Sequence, residues 1–464
     1  MKHRLLALLL CLLVAVGLSA LSAVSQNTKS KSVVPQYNRL NNFAELYLRG
    51  SYDILHMIKV RELGKIGQAT KIAAQRKLAG GKIVSHIGTP HIMYAGACTD
   101  DVPGNPNIAP DYKTTDPRAK TAAVNLGEGD FLIIADVFNQ DARKKGCYYL
   151  GVGYPMSTNK YSPPQYNDHP NAPEESQVDM MIYDWAPKED GLVTPSLTPH
   201  LKICPTSPIT VVEYWLIMAQ LAHNLANIDT SGSFNAAQAY IDTLMNRLDI
   251  FHERYIAEVT RLGPMIADRV LSGGKIYPWS SRWEFYQEAS GTAGTIMGIF
   301  PIPPGGFYSG PGAMNPPKLN PDSLTSKDVV ILAMAGSTPQ AEIDMAQKAR
   351  AKGALIIGIY PFTREDGFST APLRKLCTVS LNNLSGDRDG VLSIPGYPAK
   401  IIPTVAPMNN YAFWSIIGAY VQTMEMRGVS PYYWMSWHVP YYDAPRRGHA
   451  YTDSIEPYFL KRGY

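Results

Sequence analysis

The chain contains one short motif twice. Residues 78–83 read Leu-Ala-Gly-Gly-Lys-Ile, and residues 271–276 read Leu-Ser-Gly-Gly-Lys-Ile. Before each copy, apolar residues recur at every third or fourth position, as they do in an amphipathic helix. A Gly-Gly pair is typical of a chain that leaves a helix in the left-handed conformation. The sequence therefore predicts a junction of helix, turn and strand that occurs in two copies.

Further landmarks repeat in the same order, at a spacing of roughly 200 residues. Gly-Asp-Phe-Leu-Ile-Ile-Ala at 129–135 corresponds to Lys-Asp-Val-Val-Ile-Leu-Ala at 327–333, and the apolar run 145–155 corresponds to 352–361. Pro208 and Pro407 each precede an apolar helical stretch. Four landmarks in one order indicate that the chain duplicates one structural unit.

Each copy predicts the same series of elements. The predicted strands are continuous apolar runs and do not alternate between apolar and polar residues. Such runs are typical of parallel strands that are buried on both faces. The fold class is therefore α/β, with two doubly wound parallel-sheet domains of three αβα layers in tandem. The expected domains are 40–230 and 235–440, with an arm at 441–464. The predicted helices are 42–79, 209–225, 236–271, 339–352 and 411–426. In the first copy only residues 139–146 occupy the place of a crossover helix. The predicted strands are 82–86, 131–135, 148–152, 275–279, 329–333 and 355–359, and long loops rich in Pro, Gly and Asn are expected at 101–120 and 301–327.

The first residues have the pattern of a secretory leader. Lys2, His3 and Arg4 precede an apolar run at 5–16, and small residues follow it. This pattern predicts a signal peptide at 1–25, cleaved between Ala23 and Gln26, and a periplasmic or secreted protein. No later stretch reaches the roughly 20 apolar residues of a membrane-spanning helix, so no stable membrane insertion is expected.

Charge and cysteine content exclude several classes of function. The formal net charge is +4, and its basic residues are dispersed, so no nucleic-acid partner is expected. Four cysteines follow the leader, and because no CxxC pair and no His at zinc-finger spacing occurs, a structural zinc site is not expected. We expect no metal site and no cofactor. They form either one or two disulfides or four buried thiols. These cysteines are Cys98, Cys147, Cys204 and Cys377.

A turn rich in hydroxyl groups follows the strand at 329–333. Gly336, Ser337 and Thr338 end the strand, and Pro339 can begin a helix. Backbone N–H groups and hydroxyls at a helix start suit a phosphate or carboxylate. Ordinary N-capping by Ser337 or Thr338 is the alternative interpretation.

On these residues the chain resembles the sugar isomerase (SIS) family, in which such a turn holds the phosphate of a phosphosugar. The resemblance covers residues 42–437 as two copies. It implies a small-molecule sugar or sugar phosphate as ligand, and an acidic catalytic base after the first strand in members that isomerise. The first copy has Asp-Val-Phe-Asn-Gln at 136–140 where hydroxyls are expected, so we expect only the second copy to hold a phosphate-like group.

The turns after the first strand of each copy are expected to form the other wall of the site. Candidate ligand-binding residues in the second copy are Ser280, Ser281 and Arg282, which offer hydroxyls and a guanidinium for an anion. Those in the first copy are His86, Thr89 and His91.

Sugar isomerisation needs a base and a group that helps to open the ring. Glu284 and Glu288 would share one face of a helix, and either is a candidate base. A solvated glutamate pair is the alternative. His438 and His252 are candidate ring-opening residues.

The sequence thus predicts an exported protein that binds a sugar or sugar phosphate, with aldose–ketose isomerisation as the candidate reaction. A non-catalytic carbohydrate-binding or sensing protein is the alternative, and a scaffold with a degenerate pocket is a third hypothesis. The long opening helices favour a homodimer.

Overall fold

The computed structural model describes residues 42–86, 126–134, 140–153, 175–187, 191–199, 201–227, 231–281, 285, 288–289, 294–299, 321–334, 339–362, 369–385, 390–434 and 461. Residues 42–464 cluster into one compact unit.

The first copy opens with two helices, followed by a sheet and a closing helix. Its helices are α1 (Phe43–Arg61), α2 (Leu63–Leu78), α3 (Asp141–Lys144) and α4 (Ser207–Asn227); its strands are β1 (Ile83–His86), β2 (Phe131–Ile134), β3 (Tyr148–Gly153), β4 (Met180–Tyr183), β5 (Gly191–Val193) and β6 (Ile203–Pro205). Strands β1 to β4 form a parallel sheet in chain order, and β5 and β6 form an antiparallel hairpin.

The second copy repeats this arrangement. Its helices are α5 (Asn235–Leu271), α6 (Gln340–Ala351), α7 (Ala371–Leu376) and α8 (Val405–Met426); its strands are β7 (Ile276–Trp279), β8 (Val329–Ala333), β9 (Leu355–Tyr360), β10 (Val379–Asn382), β11 (Gly390–Leu392) and β12 (Ile401–Pro403). Strands β7 to β10 form the second parallel sheet, and β11 and β12 form its hairpin. The predicted α/β fold class with parallel sheets in two copies is confirmed.

The duplication extends to single hydrogen bonds. Asp130 accepts hydrogen bonds from the backbone N–H groups of Lys82 and Gly127, and Asp328 accepts from those of Lys275 and Thr325. In each copy this carboxylate therefore ties the start of the first strand to the turn before the second strand. The equivalence supports the alignment of the two copies that the repeated motif predicts.

Backbone strain also repeats between the copies. Cys204 has a φ of 60° and Ile402 a φ of 68°, each in the middle of the last hairpin strand. Trp185 and Leu384, each just after the fourth strand, have φ values of 53° and 59°. Such angles are uncommon in side chains of this size. Their recurrence at matching positions indicates that the fold itself imposes them.

One hydrophobic core joins the two copies. It includes α1 and α4 of the first copy, α5 and α8 of the second, and the inward faces of both sheets. Helices α4 and α8 are buried around almost their whole circumference, as expected for helices without a polar face. Smaller cores cover the outer faces of the sheets, and one of them packs α6 against the second sheet.

The structure differs from the sequence prediction in several places, and the fourth strand of each parallel sheet, β4 and β10, was not predicted. The predicted helix 42–79 is two helices that meet at Glu62, whose carboxylate accepts hydrogen bonds from the Trp185 indole at 2.9 Å and the Tyr183 N–H at 3.3 Å. The hairpins were not predicted, because their strands are only three residues long. Neither was the short helix α7, which has only six residues.

Three of the four cysteines that follow the predicted leader lie among the described residues. Cys147, Cys204 and Cys377 are free thiols, of which the first two are buried; Cys98 lies outside the described residues. Burial raises the pKa of the Cys147 thiol to about 12, so it stays protonated at neutral pH.

Among the described helices, none combines the length and apolar character needed to cross a bilayer.

Candidate functional site

A change of direction in the second sheet locates the candidate site. Strand β7 pairs with β8 on one side, and on the other side its Ile276 forms a parallel bridge with Ile299. Ile299 lies between β7 and β8 in the sequence. The chain therefore continues from β7 on one side of that strand and then returns to form β8 on its other side. Ligands of open parallel sheets bind at such a switch point, beyond the carboxyl ends of the strands.

Two predicted binding segments begin at this switch point. Ser280 and Ser281 directly follow β7. Met334 follows β8, and α6 begins at Gln340, so residues 335–338 join the strand end to the helix start. Gly336, Ser337 and Thr338 fall in that short connection and lie outside the described residues themselves.

The loop after β7 is attached to the first turn of α6. The backbone N–H of Ser281 donates a hydrogen bond to Oε1 of Glu342 at 3.0 Å, and the Ser281 hydroxyl donates to the same oxygen at 2.6 Å. Glu342 is fully buried. Sequence reasoning missed Glu342, although an acidic residue in the first turn of a helix is a usable signal. Ser281 thus serves first to hold one wall of the crevice against the other.

The end of β8 is held by an amide network. Asn409 Nδ2 donates to the carbonyl oxygen of Met334 at 3.0 Å, and Asn383 Nδ2 donates to Oδ1 of Asn409 at 2.9 Å. Both asparagines are buried. They fix the residue from which the hydroxyl-rich connection departs. The sequence offered only a weak signal, two consecutive asparagines at the start of an apolar helix.

At the position that matches Asn383, directly after the fourth strand, the first copy carries Asp184. The Asp184 side chain accepts a hydrogen bond from the backbone N–H of Ala186. The Asn383 side chain accepts the equivalent hydrogen bond from the backbone N–H of Ser385. Glu213 on α4 is fully buried, and neither of its carboxyl oxygens has a hydrogen-bond partner among the described residues. Burial, together with the charges of Asp184 and Glu62, raises the pKa of Glu213 well above its ordinary value. Glu213 therefore holds its proton more tightly than an exposed glutamate does.

Glu288 is buried and bonded. It lies in a helical segment after β7 and accepts a hydrogen bond from the hydroxyl of Ser207. Ser207 is the first residue of α4, so the carboxylate lies near the positive end of that helix. The interpretation of Glu288 as a solvated residue is wrong, because Glu288 is 0 % exposed.

The structure brings Ser280, Ser281 and the backbone end of β1 at His86 to the carboxyl edges of their sheets. His252 lies elsewhere, on α5, with its Nε2 3.8 Å from Oε1 of Glu45. No group of three His, Cys, Asp or Glu side chains in the described part could hold a metal ion. The remaining predicted side chains lie outside the described residues: His86, Thr89, His91, Arg282, Glu284, Gly336, Ser337, Thr338 and His438.

The solved structures that resemble this chain include three from bacteria. The match to a proposed phosphosugar isomerase from Silicibacter pomeroyi DSS-3 spans 83% of this chain and 99% of that protein's chain, with 12% identity and a TM-score of 0.41. The C-terminal domain of glucosamine-fructose-6-phosphate aminotransferase from Francisella tularensis covers 83% and 97%, with 9% identity and a TM-score of 0.43. Tagatose-6-phosphate ketose/aldose isomerase from Escherichia coli covers 85% and 94%, with 13% identity and a TM-score of 0.36.

A UPF0309 protein from Streptomyces griseus subsp. griseus is 21% identical over 215 residues, which are 42% of this chain and 86% of the relative. No family model matches the sequence. The fold assignment rests on the strand order of the chain itself.

Proposed function

We propose that the chain binds a sugar or sugar phosphate in the crevice between the carboxyl ends of β7 and β8. The parallel bridge between Ile276 and Ile299 carries this proposal, because it makes this edge of the second sheet a switch point. The predicted hydroxyl-rich segments, 280–281 and 336–338, both start there.

The chemistry of the second copy suits such a ligand. Backbone N–H groups at the start of α6 and the hydroxyls of Ser337 and Thr338 would hold an anionic or hydroxyl group, and Arg282 would add charge. The first copy has Asp-Val-Phe-Asn-Gln at 136–140 where the second copy has its hydroxyl-rich residues, so one sugar phosphate per chain is expected. The names of the similar structures suggest phosphosugars as the first compounds to test.

Binding without turnover is the second candidate, and the environment of Glu288 favours it. A general base must reach the proton that it removes. Glu288 is fully buried and already accepts a hydrogen bond from Ser207. Aldose–ketose isomerisation would then depend on Glu284 and His438.

A thermal-shift screen tests the binding proposal. A ligand that binds the native state raises the melting temperature as its concentration passes the dissociation constant. We expect a shift with at least one sugar or sugar phosphate, and we expect the double variant Ser337→Ala/Thr338→Ala to lose it. Thr243→Ala is the control, because this hydroxyl donates to Ala239 O within α5. An unchanged shift in the double variant would refute the anion cradle.

A turnover assay separates the two candidates. The compound that gives the shift is incubated with the protein, and its aldose and ketose forms are quantified over time. Interconversion that is lost in Glu284→Gln supports the isomerase, whereas a thermal shift without interconversion supports the binding protein.

We also propose export and dimerisation from the sequence. Cleavage of residues 1–25 predicts a mature N-terminus between Ala23 and Gln26, which N-terminal sequencing of the secreted protein would detect. Sedimentation of the mature chain at twice the monomer mass would support the homodimer.

A further inference from the structure

A buried glutamate controls the hydrogen bonding of an exposed serine at the candidate crevice. Glu342 is the third residue of α6 and is 0 % exposed, whereas Ser281, two residues after the end of β7, is exposed. Oε1 of Glu342 lies 3.0 Å from the backbone nitrogen of Ser281 and 2.6 Å from its hydroxyl oxygen. The first turn of a helix favours a negative side chain, so α6 itself helps to hold the carboxylate in this place.

These two contacts fix the direction of the hydroxyl hydrogen. A backbone N–H can only donate, so its bond identifies Oε1 of Glu342 as an acceptor. The Ser281 hydroxyl therefore donates to the same oxygen, and a separation of 2.6 Å is typical of a bond from a hydroxyl to a carboxylate. A serine hydroxyl has one hydrogen and two lone pairs. Because its hydrogen is directed to Glu342, Ser281 offers a ligand only the lone pairs.

This polarity decides which group of a ligand Ser281 can bind. The oxygens of an ionised phosphate accept hydrogen bonds, so they find no donor in this hydroxyl. A sugar hydroxyl carries its own hydrogen and can donate it to the Ser281 oxygen. On the other wall of the crevice, backbone N–H groups at the start of α6 donate to an anionic oxygen. The two walls are therefore complementary to different parts of one ligand.

We propose that Glu342 determines specificity in the crevice by making Ser281 an acceptor, which selects a hydroxyl group of a sugar. The inference rests on the proposed function and adds an orientation to it, with the sugar hydroxyls toward the end of β7 and a phosphate group toward the start of α6. Because Glu342 is fully buried, it acts on the ligand only through Ser281.

Binding measurements on the full chain test this polarity. Isothermal titration gives dissociation constants for inorganic phosphate and for glucose, galactose, mannose, fructose and their 6-phosphates. The preference is the ratio of the constant for inorganic phosphate to that for the tightest sugar compound. We expect the wild type to prefer the sugar compound. Ser281→Ala should reduce this preference roughly fivefold, as the loss of one hydrogen bond does, and should leave the binding of inorganic phosphate unchanged.

Two substitutions of Glu342 separate hydrogen-bond polarity from charge. Glu342→Gln removes the charge but keeps a side-chain oxygen that accepts from Ser281, so the preference should stay as in the wild type. Glu342→Leu removes the acceptor and leaves the Ser281 hydrogen available to an anion, so the preference should fall roughly fivefold. Asp344→Leu is the matched control, because it removes a carboxylate from the exposed side of α6 and should change neither constant.

Failure of this inference and failure of the proposed function give different results. A wild type that binds none of the sugar compounds would contradict the proposed function, and the inference with it. Sugar binding without a preference over inorganic phosphate, or with a preference that survives Ser281→Ala, would overturn the inference alone. Equal losses of preference in Glu342→Gln and Glu342→Leu would do the same, because charge would then explain the effect. Ser281→Ala changes only an exposed side chain, so it decides the matter even if Glu342→Leu does not fold.

Discussion

At the scale of single residues, the two copies place different groups at one structural position. The second copy has the amides of Asn383 and Asn409, which bond to each other and to Met334. The first copy has Asp184, and burial together with the charges of Asp184 and Glu62 raises the pKa of the nearby Glu213. An amide pair is neutral at every pH, whereas buried acids repel when ionised. Duplication of the backbone therefore did not duplicate the chemistry.

Glu213 should make the protein less stable at high pH. Its pKa is raised above the ordinary value of 4.5, so the folded state holds the proton more tightly than the unfolded state. The resulting stability is fully present below the ordinary pKa and is lost as pH rises through the raised value. Glu213→Gln should flatten this decline in urea-unfolding curves measured across pH.

Glu258→Gln provides the control for that series. Glu258 is partly exposed and bonded to Arg261, which lowers its pKa. Its contribution is present above its ordinary pKa and is lost on acidification, so the control should leave the alkaline decline intact. An equal decline in wild type and Glu213→Gln would contradict the assignment.

Asp328 should be a major contributor to stability. Its carboxylate accepts from the N–H groups of Lys275 and Thr325 and from the Thr325 hydroxyl, and it is 4 % exposed. Asp328→Ala would leave these donors unpaired, and we expect a loss of about 3 kcal/mol in the free energy of unfolding. Asp344→Ala, which removes an exposed hydrogen bond to Gln340, should change it by less than about 0.5 kcal/mol.

At the scale of elements, the Gly-Gly junction is a packing requirement. Gly80 and Gly273 have φ values of 94° and 93°, which favour glycine. At the second glycine of each pair, a Cβ would lie 2.1 Å from Gly129 O at Gly81 and 1.9 Å from Lys327 O at Gly274. The helix end, the first strand and the turn before the second strand thus meet at van der Waals contact. The repeated motif marks a crowded backbone crossing in each copy.

Gly274→Ala should therefore destabilise the protein strongly. The methyl group would force the strand away from the Lys327 carbonyl, and we expect a loss of about 3 kcal/mol or more. Gly64→Ala is the matched control, because a Cβ there meets nothing within 4 Å and the residue lies in α2. That change should stabilise the helix by about 1 kcal/mol. Thermal unfolding that showed equal effects at both positions would refute the crowding argument.

At the scale of the whole molecule, the two copies share one interior. The close approach of α5 and α8 illustrates this, since a Cβ at Gly263 would lie 2.4 Å from the carbonyl oxygen of Ala419. The main core contains residues of both sheets and of the central helices. Separating the copies would expose the apolar surfaces of α4 and α8, which have no polar face to present to water.

The chain should consequently unfold in one cooperative step. Helix content, followed by circular dichroism, and tryptophan fluorescence should give coincident denaturant transitions, and the calorimetric and van't Hoff enthalpies should agree. Trp215 on α4 and Trp414 on α8 report on the shared interior from both copies. Two separate transitions would show that each copy is stable without the other.

Local patterns in the sequence were sufficient to predict the repeat, the first three parallel strands of each copy and most helix bounds. They sufficed because a buried strand, an amphipathic helix and a Gly-Gly turn each leave a signature within a few residues. The predicted strand Val329–Ala333 matches β8 at both ends, and the short α3 matches the truncated crossover at 139–146. The binding turns were also named from such signals.

Only the tertiary structure decided which side chains meet. Glu288 bonds to Ser207, Asn409 to Met334, and Tyr47 faces Tyr411, each across the boundary between copies or between distant elements. These contacts arise from the packing of helices against sheets, which depends on the shape of the whole core. No periodicity along the chain encodes that shape, so the buried acids and hydroxyls became visible only once the helices were packed.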